Sequence, residues 1–307
     1  MKTILALFLA LGISFAAAAK ENITIYYAWG PGDSVANYSR TLAAEANKIQ
    51  KKYTFIFDTK PGAGGAIASN HVLNNPNSIL AHSTAFFVRP NFYPNESYNL
   101  DDFKSLMTQC QSSMAVVASK YQTWNDVPKN QRITVGVSGL GVTTHLGAIQ
   151  LKKKFDNIEV IPFKSTSESL VAMVGGQVDL HIGFISEAET WMKDASNPIL
   201  NGKTLHVLGI TGTKSFNGYP TLVSQGFPSA FEQMNVGFHL VLPKKFDDKK
   251  AEEIRQILQK AVKTKAVQDS FAVDYCTPLE TKTQDLPKWY EFHVNHWKKL
   301  SAGITIQ

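Results

Sequence analysis

The residues with the most chemistry to offer are Ser138-Gly139-Leu140-Gly141-Val142-Thr143-Thr144-His145. They follow Ile133-Thr134-Val135-Gly136-Val137, which alternates like a buried strand. They precede Ala148, Leu151 and Phe155, which recur at helical spacing. A small, hydroxyl-rich loop therefore joins a strand end to a helix start. Its glycines let backbone approach a ligand closely. The free N–H groups and positive dipole end of the helix attract an anion. Backbone N–H groups at Gly141 to Thr144, and at Gly32 to Ser34 after the first predicted strand, could serve such an anion, and Ser138, Thr143, Thr144 and His145 could add side-chain donors.

Competing chemistry is poorly supported. A nucleophile elbow around Ser138 needs glycine where Leu140 stands. A Ser138/His145 hydrolase is therefore the weak rival; His145 suits a ligand contact or a structural hydrogen bond as well as a base. Gly139-Leu140-Gly141 and Gly62-Ala63-Gly64 lack the third glycine of a dinucleotide fingerprint, at Thr144 and Ile67. His293 and His296 lie three apart on the last predicted helix with no third ligand in view, so no metal and no cofactor is expected.

The elements that position the loop alternate along nearly the whole chain. Strands are predicted near 23–27, 54–58, 79–82, 114–119, 133–137, 160–161, 180–182, 205–210 and 237–242, with helices between most of them. Ser165-Thr166-Ser167-Glu168 is a capping box opening one helix. After 242 the chain reads as helical to its end. Ile254, Ile257, Leu258, Ala261 and Val262 form one apolar face, and Leu286, Trp289, Tyr290, His293, Trp297 and Leu300 another. Such alternation implies an α/β fold with mainly parallel sheets and helices on both faces. Ligands gather at the carboxyl ends of such strands. Three loops lie there: 29–34, 83–89 and 138–145. If the first and last belong to different domains, the ligand sits in a cleft between them. Trp29, Phe86, Phe87, Phe163 and Phe184 could wall that cleft.

The chain has 307 residues and a formal net charge of +6. Lys2, an apolar stretch over 4–15 and Ala16-Ala17-Ala18-Ala19 read as a signal peptide over 1–19, so the mature protein is expected to be exported. Lys and Arg are scattered among acids, which argues against a nucleic-acid partner. Cys110 and Cys276 are either a disulfide, which an oxidising compartment permits, or two buried thiols.

A series of motifs then adds up. Trp29-Gly30-Pro31-Gly32-Asp33-Ser34 with Arg40, and Pro61-Gly62-Ala63-Gly64-Gly65, come first. Ser138-Gly139-Leu140-Gly141 with Thr144-His145-Leu146, and Pro162-Phe163-Lys164, follow. Gly175-Gly176-Gln177-Val178-Asp179-Leu180, and Pro220-Thr221 before Gly226-Phe227-Pro228, complete the series. In order and spacing the chain resembles the substrate-binding receptors of tripartite tricarboxylate transporters, the Bug-type receptors.

The resemblance implies a two-domain clamshell of the type II periplasmic-binding-protein class. Domain 1 would be 20–120 plus 236–307, domain 2 would be 121–235, and strands near 114–119 and 236–242 would form the hinge. It also implies a periplasmic monomer that binds a small carboxylate and delivers it to membrane permease subunits. The carboxylate could be a dicarboxylate, an amino acid or an aromatic acid. An exported sensor docking on a membrane kinase would share the same fold. The expected ligand-binding set is Trp29, Gly32, Asp33, Ser34, Ser83, Thr84, Arg89, Ser138, Gly141, Val142, Thr143, Thr144, His145, Phe163 and Phe184. This chain departs from the family pattern at Asp33, Ala36, Gly183 and Arg89. Asp33 either caps the helix it precedes or pairs with a ligand ammonium group. Arg89 is either a bidentate carboxylate contact or a surface residue.

Overall fold

A computed structural model describes residues 20–31, 34–95, 98–194, 196–273 and 275–306. The signal-peptide expectation at 1–19, and Gly32 and Asp33, lie outside them. In chain order the first group of elements is β1 (Glu21–Tyr27), α1 (Ser34–Ile49), β2 (Tyr53–Thr59), α2 (Ala66–Asn74), β3 (Ser78–Ser83), the single-turn α3 (Ala85–Val88) and β4 (Phe103–Ser112). The chain then builds β5 (Met114–Ala118), β6 (Ile133–Val137), α4 (Thr143–Lys152), β7 (Ile158–Pro162), α5 (Thr166–Gly175), β8 (Leu180–Phe184), α6 (Ile185–Lys193) and β9 (His206–Ile210). It returns through β10 (Val236–Pro243), α7 (Asp248–Val262), α8 (Lys265–Val273), β11 (Thr277–Pro278) and α9 (Leu286–Ser301).

The strands make two sheets, ordered β11-β4-β10-β3-β1-β2 and β7-β6-β8-β5-β9. The α/β class holds, but the sheets are mixed rather than mainly parallel. Parallel pairing joins β2-β1-β3 and β7-β6-β8, whereas β10 and β5 pair antiparallel with their neighbours. The reason is topological. These two strands bring the chain into one sheet from the other, without a βα crossover to keep them parallel.

β5 hydrogen-bonds wholly within the second sheet, so the chain leaves the first sheet at Ser113 and not near 120. The two passages between sheets are tied together. Met114 N–H donates to Thr211 Oγ1 at 2.9 Å, and Thr211 Oγ1 donates to Asn235 Oδ1 at 3.0 Å.

β4 has no counterpart among the predicted strands. Its polar residues hide the pattern, and tertiary partners take up some of them: Thr108 Oγ1 donates to the Leu279 carbonyl at 2.9 Å, and Tyr38 Oη donates to Gln109 Oε1 at 3.5 Å. Cys110 of β4 and Cys276 are disulfide-bonded, with Cα atoms 5.4 Å apart, which pins the short edge strand β11. The Gly-Gly-Gln-Val-Asp motif has a structural role. Asp179 Oδ2 accepts from both the backbone N–H and the hydroxyl of Thr134, fixing β8 beside β6.

The apolar faces pack as their spacing requires. Ile254, Leu258 and Ala261 of α7 are buried, as are Leu286 and Trp297 of α9, with Trp289, Tyr290 and Leu300 half-buried beside them. Phe86 and Phe87 belong to this core and not to a cleft wall. Phe86 stacks on Tyr98 with ring centres 4.9 Å apart, and Phe87 packs on His239 and Trp289.

Candidate functional site

Strand ends from both sheets enclose a small cavity of about 30 Å³. Trp29, Ser83, Ala85 and Val236 line it from the first sheet and its loops. Ser138, Val142, Thr143 and Thr144 line it from the 138–145 loop, joined by Ser165, Thr166 and Phe184 at the ends of β7 and β8. Thus the loops after β1, β3 and β6 meet, as the strand-end rule requires. The two sides touch: Thr84 Oγ1 lies 3.2 Å from Thr143 Oγ1, and the Phe184 and Phe238 ring centres are 5.6 Å apart.

Local sequence explains the polarity of the lining. α4 begins at Thr143 after Val142, whose extended backbone carries no capping side chain. The first N–H groups of α4 therefore keep their free capacity at the cavity wall. Ser138 shapes the loop rather than a catalytic dyad. Its backbone N–H donates to Thr144 Oγ1 at 3.1 Å, and its hydroxyl lies 2.9 Å from the same oxygen.

His145 is not a base for Ser138. Its Nδ1 accepts the Gly141 N–H at 3.0 Å, and burial pushes its pKa down to about 4. A neutral imidazole closing the loop is a structural role, and the hydrolase arrangement is not formed. On the opposite side Arg40 of α1 donates to the Pro31 carbonyl at 3.3 Å, which holds the loop after Trp29 against the helix.

Five of the expected site residues stand off the cavity lining. Gly141 and His145 lie behind the loop, and Thr84 sits behind Thr143. Phe163 turns to Gly136 and the core between the second sheet and its helices. Arg89 is neither a surface residue nor part of the lining. It is 7% exposed, with its guanidinium 4.2 Å from the Tyr93 ring centre. Gly32 and Asp33 lie outside the described residues; Ser34 begins α1.

Ser165, Thr166, Ala85 and Val236 line the cavity without having been singled out as binding residues. For the first two a signal existed. The capping box marks a helix N-terminus at a strand's carboxyl end, the same setting as α4, and Ser165 Oγ does accept the Glu168 N–H at 3.1 Å. Among the described residues no group of three or more His, Cys, Asp or Glu is arranged to hold a metal ion. His296 Nε2 bonds the Gln233 carbonyl, and Trp297 Nε1 donates to His293 Nδ1.

Two mixed sheets flanked by helices, joined by two passages of the chain and meeting at one cavity, define a periplasmic-binding-protein-like molecule of the type II architecture. Comparison with known proteins sharpens this. Residues 39–305 match the model of the tripartite tricarboxylate transporter family receptors, and the chain belongs to that family.

An Agrobacterium vitis protein described as "UPF0065 protein in the TAR-I ttuE-ttuC' intergenic region" is 25% identical over 260 residues. The match spans 80% of this chain and 71% of that one. The periplasmic binding protein BugD superposes with a TM-score of 0.78 at 21% identity, over 94% of this chain and 99% of its own. R. palustris Rpa4515, solved with adipate, superposes with a TM-score of 0.78 at 19% identity, over 92% of this chain and 97% of its own. At such identities the superpositions establish the shared fold.

Proposed function

We propose that this protein is an exported, periplasmic solute receptor that holds a small carboxylate in the cavity between its two sheets. It then delivers the ligand to the membrane permease subunits of a tripartite transporter. One observation carries the reading: hydroxyls from both sides of the molecule converge on the uncapped N-terminus of α4. Oriented N–H dipoles and neutral hydroxyls can hold a carboxylate without a bulky counter-ion. The adipate bound by Rpa4515 and the family membership support a carboxylate as the ligand.

In this reading Ser83, Ser138, Thr143 and Thr144 donate to the ligand, and Trp29 and Phe184 cover its carbon skeleton. Gly32, Asp33 and Ser34 belong to the same candidate set, while Thr84, Gly141 and His145 hold the loops in place. The two lobes are the described residues of 20–112 with 236–306, and of 114–235, moving about the tied passages at Met114, Thr211 and Asn235. A ligand touching both lobes favours the closed state by its differential affinity. The receptor acts as a monomer that presents the closed form to the permease.

A thermal-shift screen of dicarboxylates, amino acids and aromatic acids on folded, ligand-free protein tests this. At least one class should raise the melting temperature in a concentration-dependent way. A flat response across all classes refutes the receptor reading.

A further inference from the structure

We propose that Tyr275 is an interlobe latch, carried rigidly by the first lobe and docked by its side chain on the second. The docked state sets how tightly the receptor holds its ligand without touching that ligand; the role rests on the receptor reading.

Tyr275 has a backbone that suits a different residue. α8 ends at Val273, the Tyr275 N–H donates to the Ala272 carbonyl at 3.2 Å, and the Cys276 N–H donates to the Phe271 carbonyl at 3.0 Å. This is a helix-ending motif whose left-handed position usually holds glycine. Tyr275 occupies that position with φ +48°. A bulky residue there is strained, and such strain persists only where surrounding contacts hold it. Glycine would end the helix with less strain, so helix ending alone does not account for the tyrosine.

The segment that follows is anchored to the first lobe. Cys276 is buried and bonded to Cys110 of β4, and Thr277 and Pro278 of β11 pair with Gln111 and Cys110. The side chain of Tyr275 nevertheless packs against the apolar cluster between the second sheet and its helices. Its hydroxyl donates to Glu189 Oε2 of α6 at 3.0 Å, and Lys193 Nζ donates to the tyrosine oxygen. The Phe216 ring meets it edge-on, with ring centres 5.3 Å apart. Glu189 is 6% exposed, and Lys193, Asn217 and Tyr219 face its carboxylate from its own lobe. Tyr275 adds a donor from the other lobe. Hydrogen bonds to a charged group are the strong ones.

The latch is made in the same conformation in which Thr84 of one lobe meets Thr143 of the other, the closed form. Tyr275, Glu189, Lys193 and Phe216 all stand off the cavity lining. A rigid-body opening moves α6 relative to the anchored segment, and a hydrogen bond weakens steeply as distance and alignment are lost. The latch therefore raises the fraction of receptor that is closed, and the apparent dissociation constant scales inversely with that fraction. Every ligand gains by the same factor.

Calorimetric titration of the full mature protein with each acid that raises its melting temperature tests the latch. Tyr275→Phe keeps the ring and the backbone and removes only the hydroxyl. It should weaken every such acid by one common factor of at least about tenfold, the loss of a hydrogen bond to a charged group. In a Glu189→Gln background the same substitution should cost less than about threefold, because the two residues share one contact. Unchanged affinities in Tyr275→Phe, factors that differ among acids by more than about threefold, or an undiminished loss in the Glu189→Gln background overturn the latch and leave the receptor reading intact. Failure of every acid to bind the wild type overturns the receptor reading, and the latch with it.

Discussion

Replacing Gly141 with alanine separates fold stability from lobe closure. Gly141 has φ +72°, a region that costs an L-residue about 1–2 kcal/mol. Its missing side chain also makes room for Tyr93: a Cβ there would lie 2.5 Å from Tyr93 Cε2 and 3.0 Å from Cδ2. The ring cannot simply retreat, because the Arg89 guanidinium lies 4.2 Å from its centre. Overpacking of this kind costs about 1–3 kcal/mol.

The two costs fall on different observables. Backbone strain acts whether the lobes are open or closed, so it lowers the melting temperature. The collision acts only where the loop of one lobe meets Tyr93 of the other, so it lowers ligand affinity by about 5- to 150-fold. The assay is calorimetric titration with the acid that gives the largest thermal shift, alongside ligand-free melting curves. In a Tyr93→Ala background the same glycine replacement should change affinity less than about threefold while still lowering the melting temperature. Normal affinity in Gly141→Ala alone, or an undiminished loss in the Tyr93→Ala background, refutes the idea that this contact belongs to the closed, liganded state.

Three further outcomes are expected. Burial pushes the His181 pKa from its ordinary 6.5 down to about 3, so the unfolded chain takes up the proton first. Its contribution to stability is full above about pH 6.5 and is lost as pH falls toward 3, about 2 kcal/mol of it between pH 7 and 5. Denaturant titrations at those two pH values should show His181→Gln removing that much of the pH dependence, and an unchanged difference contradicts the assignment. Breaking the Cys110–Cys276 bond, which spans 166 residues of sequence, should cost up to about 5 kcal/mol; a loss below about 1 kcal/mol by chemical denaturation means the bond does not restrain the unfolded chain. Thr143→Ala with Thr144→Ala should weaken carboxylate binding at least about tenfold, since each hydroxyl bond to a charged group is worth about 1.5–3 kcal/mol. Unchanged affinity in the titration removes both hydroxyls from the site.

Local pattern specifies the α/β class, most strands and the strand-end loops that meet at the cavity. Those features depend on local pattern: alternation in 133–137, helical spacing after His145, small residues between. It also marked Trp29, Ser83, Ser138, Val142, Thr143, Thr144 and Phe184, all of which line the cavity. Which strands pair antiparallel is settled by long-range folding, because it depends on where the chain changes sheets. β4 was illegible because its polar residues break the strand pattern, and partners such as Leu279 for Thr108 come from far along the chain. Arg89, His145 and Thr166 make the same point at the site. Their residue types suggest contact, a base and a helix cap, but burial against Tyr93, the Gly141 N–H and the Glu187 carboxylate set what each can do. A side chain's chemistry is written in its formula, whereas its charge balance and the direction of its one proton are fixed by neighbours that folding brings from elsewhere.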